Sequence, residues 1–322
     1  ACFATSALCN TATMPRAVLP ALADECAIEL EFATFGNAGN PTLLLVNGYT
    51  SQMIVWETEL IEGLVAQGLH VVIYDNRDVG LSTKLDGQQV QPMKVLQAII
   101  AGEPVEVPYT LSAMAADGMG LLTHLGIDQA HIAGVSMGGM IVQMMAIEHP
   151  ERVLSLCSIM SSPGHPDYGQ PSAEARSALL APPSIERAAY IEDSLRAKVW
   201  LSKKHFSEEV TRDRSARQFD RIFYPEGFTR QLAAIYATGD RSERLQELDV
   251  PTLVIHGRDD ELISPSGGER TAELIDGSRY LLLSDMGHDL PAPLAPVFAE
   301  AIAGHIRISN TSISNTSISN TV

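Results

Sequence analysis

The sequence predicts an α/β fold: a mostly parallel sheet flanked by helices on both faces. Two patterns carry that expectation. Short apolar, β-branched runs alternate with segments of helical period from 28 to 160, and the alternation resumes after about 250. Strands buried on both faces read as continuous apolar runs, and helices that cover them read with a 3.6-residue period. Turn residues also punctuate the strand ends, as at Asn47-Gly48 and Asp75-Asn76.

The elements follow in order. Ile28 to Ala33 alternates as an entering strand, and Thr42 to Val46 is a short buried strand. Val55 to Gln67 has helical period and Gly68 closes it. His70 to Tyr74 is the next strand, followed by the polar turn Asp75-Asn76-Arg77-Asp78-Val79-Gly80. Leu111 to Leu125 predicts a helix stopped by Gly126, and Ala130 to Val135 a strand. Met137 to Glu148 predicts a helix stopped before Pro150, and Val153 to Met160 a strand with Cys157 as a small core residue. Strand signal then fades. Ala173 to Leu180, Ser184 to Trp200 and Phe228 to Ala237 read as helices, so 161–240 is expected to be a mostly helical cap. Thr252 to His256 and Arg279 to Leu283 are strands, and Ala295 to Ile306 is a closing helix. The core is therefore expected at 24–160 and 241–306.

The ends differ from this body. Residues before Met14 are small and polar and Met14 is a candidate start, and 1–23 are expected to form a poorly structured leader. Residues 307–322 repeat I-S-N-T-S, with Ile308, Ile313 and Ile318 in register. This low-complexity tail is expected to be disordered or weakly extended.

A formal net charge of −17 argues against sustained binding to nucleic acid or an anionic membrane. No run is long and apolar enough to suggest a membrane span, and the N-terminus lacks a secretory pattern. The expectation is a soluble, cytoplasmic protein with a small-molecule partner. Its four cysteines lack C-x-x-C spacing and its nine histidines lack H-E-x-x-H, so no metal and no cofactor are expected.

The chemistry centres on Ala130-His131-Ile132-Ala133-Gly134-Val135-Ser136-Met137-Gly138-Gly139. A serine hydroxyl is a weak nucleophile unless it is exposed beside a base and near oxyanion donors. A G-x-S-x-G turn between strand and helix meets those needs, which makes Ser136 the candidate nucleophile. His288, in Met286-Gly287-His288-Asp289-Leu290-Pro291 past the last strand, is the candidate base. An acid must orient it, and Arg258-Asp259-Asp260-Glu261 offers carboxylates past another strand end. Asp260 is the choice and Asp259 the alternative. Met137 N–H is one expected oxyanion donor and Tyr49 N–H, after an early strand, the other. Arg77 is expected to hold neighbouring loops together rather than to clamp a substrate.

Across Ile28 to Ile306 the chain resembles the α/β-hydrolase superfamily, through G-V-S-M-G-G, H-G-R-D-D-E-L-I-S-P and M-G-H-D-L-P. The Ser–Asp–His order implied by Asp260 matches that superfamily. Within it, D-N-R-D-V-G-L-S-T, S-M-G-G-M-I and Tyr224-Pro225-Glu226-Gly227-Phe228 resemble a bacterial serine-esterase group of aclacinomycin methylesterase-like proteins. The resemblance implies an α/β-hydrolase fold with a helical cap and a carboxylic-ester hydrolase working through an acyl-enzyme. Asn47 stands where many relatives have histidine. Phe223, Tyr224 and Phe228 are candidate substrate contacts in the cap. A carbon–carbon-bond hydrolase or a cofactor-free perhydrolase would use the same triad, and a non-catalytic ligand receptor is the alternative from another class.

Overall fold

The computed structural model describes residues 14–19 and 27–319, with only the backbone for 312–319. Eight strands form one sheet: β1 (Arg16–Val18), β2 (Glu29–Phe35), β3 (Thr42–Val46), β4 (His70–Tyr74), β5 (Ala130–Val135), β6 (Val153–Ile159), β7 (Thr252–Gly257) and β8 (Arg279–Leu283). Their order across the sheet is β1-β2-β4-β3-β5-β6-β7-β8. The β1–β2 and β2–β4 pairs are antiparallel and all others parallel. Five strands therefore send their C-terminal ends to the edge where β4 also ends, and loops meet there in a crevice.

The helices are α1 (Thr58–Ala66), α2 (Pro92–Ile100), α3 (Leu111–His124), α4 (Met137–Glu148), α5 (Ala173–Leu180), α6 (Arg187–Asp193), α7 (Glu208–Arg221), α8 (Glu226–Thr238), α9 (Ser242–Gln246), α10 (Pro265–Leu274) and α11 (Ala295–Ser319). Alternation along the strands divides the core in two. Leu44, Val46, Val72 and Ile132 join Met114, Ile141 and Met145 of α3 and α4 on one face. Leu43, Leu45, Val71 and Ala133 join Leu60 and Leu64 of α1, and Phe298 and Ile302 of α11, on the other. Successive strand residues point to opposite faces, so a fully apolar strand feeds both cores.

Two expectations about the ends are corrected. The leader expected at 1–23 contains β1, which pairs Arg16 with Glu31 and Val18 with Glu29. Ala17, pointing inward from β1, is fully buried and anchors this edge; residues 1–13 and 20–26 lie outside the description. The tail expected to be disordered or weakly extended is helical through Ser319. Its start is fixed on the core by Phe298, Ile302 and Ile306, and extending an existing helix costs far less than nucleating one. Ser309 and Thr311 donate their hydroxyls to the carbonyls of His305 and Arg307, so their side chains accommodate the helix.

Boundaries also move. The helix expected from Val55 begins at Thr58, after a 3₁₀ turn at Met53–Val55. The segment Ser184 to Trp200 divides into α6 and a 3₁₀ turn at Ser194–Val199. Helices α5 to α8 all fall between β6 and β7. Among the described residues no helix is long and apolar enough to cross a membrane.

Candidate active site

Ser136 occupies the turn between β5 and α4 with φ 56° and ψ −122°. That left-handed φ is costly for a residue with a Cβ and turns the side chain sharply away from the strand. Close packing of the turn depends on glycine. A Cβ on Gly134 would lie 2.1 Å from Gly138 O, and one on Gly138 would lie 2.1 Å from Val46 O. The Ser136 N–H bonds to Ile159 O at 2.9 Å, tying the turn to β6.

His288 sits in the loop after β8. Its Nε2 lies 2.9 Å from Ser136 Oγ and its Nδ1 lies 2.7 Å from Asp260 Oδ2. Three residues far apart in sequence thus form one continuous hydrogen-bonded line. Asp260 is buried in the loop after β7, and its Oδ1 accepts the Leu262 and Ile263 N–H groups at 2.9 Å each. Burial works to raise the Asp260 pKa, but the His288 charge and hydrogen bonds from His256 and His288 hold it below the usual carboxylate value. Asp259 points elsewhere, with its Oδ1 3.4 Å from Arg258 Nε. His256 is buried, donates from Nε2 to Ile263 O at 2.8 Å, and has that nitrogen 3.4 Å from Asp260 Oδ2. It braces Asp260, and among the described residues it makes no hydrogen bond to Ser136.

Met137 is the first residue of α4, so its N–H has no intrahelical acceptor. The loop after β3 closes on Ser136 from the other side: a Cβ on Gly48 would lie 3.1 Å from Ser136 Cβ. Asn47 organises this loop by donating from Nδ2 to Gln52 O at 3.0 Å, while its own carbonyl accepts Asn76 Nδ2 at 3.1 Å. Met53 N–H bonds to Asp75 Oδ1 at 2.6 Å.

Arg77 makes two short bonds to Asp117, at 2.6 and 2.7 Å, and both side chains are buried. It joins the β4 turn to α3 and lies outside the cavity lining. Its neighbour Asp78 receives Arg230 of α8 at 2.8 and 2.9 Å, and Asp75 receives Arg221 of α7 at 2.7 Å. The polar turn therefore fastens the inserted helices to the sheet.

A cavity of about 610 Å³ opens over Ser136 and His288. Its walls include Trp56, Met160, Leu180, Pro182, Leu201 and Leu232. Phe228 also lines it and meets Tyr49 edge to face, with ring centroids 6.3 Å apart. The other two aromatic candidates are corrected. Phe223 stacks on Phe219 at 4.7 Å, and Tyr224 donates to Asp86 at 2.6 Å; neither lines this cavity. Aromatic character alone does not set direction: these rings satisfy contacts within the insertion and with the 86 loop. Sequence reasoning did not identify Glu57, Arg214 or Asp289 as cavity residues, although Asp289 directly follows His288.

The α/β hydrolase fold family model matches residues 41–291. Rhodomycin D methylesterase DnrP of Streptomyces peucetius is 26% identical, over 84% of this chain and 93% of its own length. The 3-oxoadipate enol-lactonase 2 of Acinetobacter baylyi is 26% identical, over 77% of this chain and 82% of its own length. Among solved structures, the enol-lactonase from Burkholderia xenovorans LB400 superposes with a TM-score of 0.68 at 22% identity, covering 91% of this chain and all of that one. The family match spans the Ser136 turn, the loops that carry Asp260 and His288 and the helical insertion, and the chain belongs to the α/β-hydrolase fold family.

Proposed function

We propose that this chain is a serine hydrolase that cleaves carboxylic esters through an acyl-enzyme. The observation that carries the reading is the line Asp260–His288–Ser136, with contacts of 2.7 and 2.9 Å. In this reading His288 Nε2 takes the Ser136 proton as Oγ attacks the ester carbonyl, then returns it to the departing alkoxide. Water next gives its proton to His288 and attacks the acyl-enzyme, releasing the acid and restoring Ser136. Asp260 stabilises the imidazolium in both steps. The N–H groups of Tyr49 and Met137 receive the negative charge on the carbonyl oxygen.

The apolar walls fit a substrate with a substantial hydrocarbon part, and Phe228 is the aromatic contact expected to touch it. The insertion acts as a cap in this reading, shaping entry while the reacting groups stay on the sheet. Methylesterase and enol-lactonase relatives support hydrolysis at an ester carbonyl. Relatives named as 2-hydroxy-6-oxononadienedioate hydrolases favour a second reading, carbon–carbon cleavage by the same groups.

Ser136→Ala tests the nucleophile. The folded variant should lose covalent labelling by an organophosphonate and lose p-nitrophenyl ester turnover by several orders of magnitude. Undiminished labelling at another serine would reject the assignment. A parallel assay with vinylogous diketones separates the readings: preferential turnover of these over all esters supports carbon–carbon cleavage.

A further inference from the structure

The cavity contains an acidic group that the proposed reaction does not use. Three carboxylates line it: Glu57, Asp193 and Asp289. Glu57 is ion-paired with Arg214 and Asp193 with Arg196. Asp289 has no basic side chain within ion-pair distance among the described residues.

Only one of the two Asp289 oxygens is engaged. Oδ1 accepts the Ser202 N–H at 3.0 Å and the Ser202 hydroxyl in a short bond. Ser202 Oγ in turn accepts Gly287 N–H at 2.9 Å, and His288 N–H bonds to Trp200 O at 2.7 Å. These contacts fix the carboxylate relative to the proposed base. Oδ2 makes no hydrogen bond within the described protein. Burial raises the Asp289 pKa, whereas both bonds from Ser202 and the charges of Arg214 and His288 oppose that rise.

We propose that Asp289 Oδ2 is the polar recognition point of the cavity, taking a hydroxyl or ammonium donor carried by the ester substrate close to its scissile carbonyl. Asp289 lines the same cavity as Ser136 and His288, and its fixed backbone neighbour His288 ties it to the reacting end, while Trp56, Leu180 and Leu232 supply apolar surface for the remainder. A ligand that covers this oxygen without donating to it strips its water and leaves the desolvation cost uncompensated, so the site rewards a donor. It disfavours an acceptor such as a ketone at the same position. The inference rests on the ester-hydrolase reading for the word substrate, but the recognition itself is a binding property.

The test uses the full chain carrying Ser136→Ala. Methyl 3-phenylpropanoate and its analogues bearing hydroxyl, ammonium or oxo at C2 or C3 are titrated by calorimetry. At one of these positions the hydroxyl or ammonium ester should bind about tenfold more tightly than the parent, with no gain for the oxo ester. Adding Asp289→Asn keeps an oxygen for Ser202 and presents an NH₂ donor in place of Oδ2. The donor gain should vanish and the oxo ester should become the tighter ligand. Equal affinity across the series overturns the proposal, as does a donor gain that survives Asp289→Asn. Should that variant fail to fold, Asp289→Ser removes Oδ2 while retaining an oxygen, and loss of the gain is again required. Turnover of the parent ester by unaltered protein is read separately. Donor preference without turnover refutes ester hydrolysis alone, whereas turnover without preference refutes the role of Asp289 alone.

Discussion

Gln231 Oε1 accepts the Thr50 backbone N–H at 2.9 Å, so a helix inserted between β6 and β7 holds the loop that follows β3. The same carboxamide donates from Nε2 to Arg77 O at 3.1 Å, and the side chain is fully buried. Thr50 needs this support, because its φ of 61° is left-handed for a β-branched residue. Gln218 and Arg221 add a second hold on the loop, bonding to the Gln52 N–H and Oε1 at 3.2 and 2.8 Å.

Gln231→Leu should therefore lower kcat more than it raises KM. The substitution leaves Thr50 N–H and Arg77 O without their partner and releases the residue next to the proposed oxyanion donor Tyr49. A displaced donor costs up to about 10²-fold in kcat. Steady-state kinetics with a p-nitrophenyl ester decide the matter. An unchanged kcat in a folded variant shows that the loop holds its shape without α8.

Asp260→Asn should reduce kcat by roughly 10³–10⁴-fold, if the amide compromises the imidazole tautomer as in a serine-protease triad. Asp259→Asn should stay within about threefold, since among the described residues the one polar partner of its carboxylate is Arg258. Similar small losses for both variants would remove Asp260 from the mechanism.

Gly138→Ala should prevent folding or destabilise the protein by several kcal/mol, on the order of 3 or more. Its Cβ would meet main-chain atoms, with Val46 O at 2.1 Å and Asn47 O at 2.6 Å, and neither can move without shifting β3. Gly126→Ala is the control. Beyond its chain neighbours, no atom of the described residues lies within 4 Å of an added Cβ, so only the left-handed φ of 70° opposes it, at about 1 kcal/mol. Soluble yield and thermal melting compare the two, and equal Tm values would show that β3 yields to the extra methyl.

The sheet and the three loops that bring Ser136, Asp260 and His288 together are legible in sequence for physical reasons. β3, β4 and β7 are buried throughout and β5 at all but its last residue, so each reads as a largely apolar run ending at a turn. α7 is not legible in this way. Its sequence E-E-V-T-R-D-R-S-A-R-Q-F-D-R buries only Ser215. Its order comes instead from the Ser207 cap, the Glu208–Arg212 and Asp213–Arg217 pairs and the Arg221–Asp75 contact. α2 is similar, with only Val95 buried. The proposed acid could be narrowed to neighbouring carboxylates by its place after a strand, but choosing between Asp259 and Asp260 needs side-chain direction. Gln231 is not legible because its bonds join segments distant in the chain, and although Asp289 lies within M-G-H-D-L-P, that string does not show which way its carboxylate points.

Stability should fall as pH drops from 6.5 toward 4, and His131 on β5 is a principal cause. Its side chain is fully buried, with Nδ1 2.8 Å from Ser155 Oγ. Burial, aided by the charge of His305, pushes its pKa down to about 4. Unfolded histidine takes up a proton near pH 6.5, whereas folded His131 resists until about pH 4. Across that window the unfolded chain binds more protons, so lowering the pH favours unfolding. Between pH 6.5 and 5 the contribution is at most about 2 kcal/mol. His70 and His305 are shifted downward as well, again by burial first, and deepen the same trend. Urea denaturation at several pH values should show the fall, and His131→Gln should flatten it while leaving the part due to the other two histidines. An unaltered slope in that variant would place the pH sensitivity elsewhere in the chain.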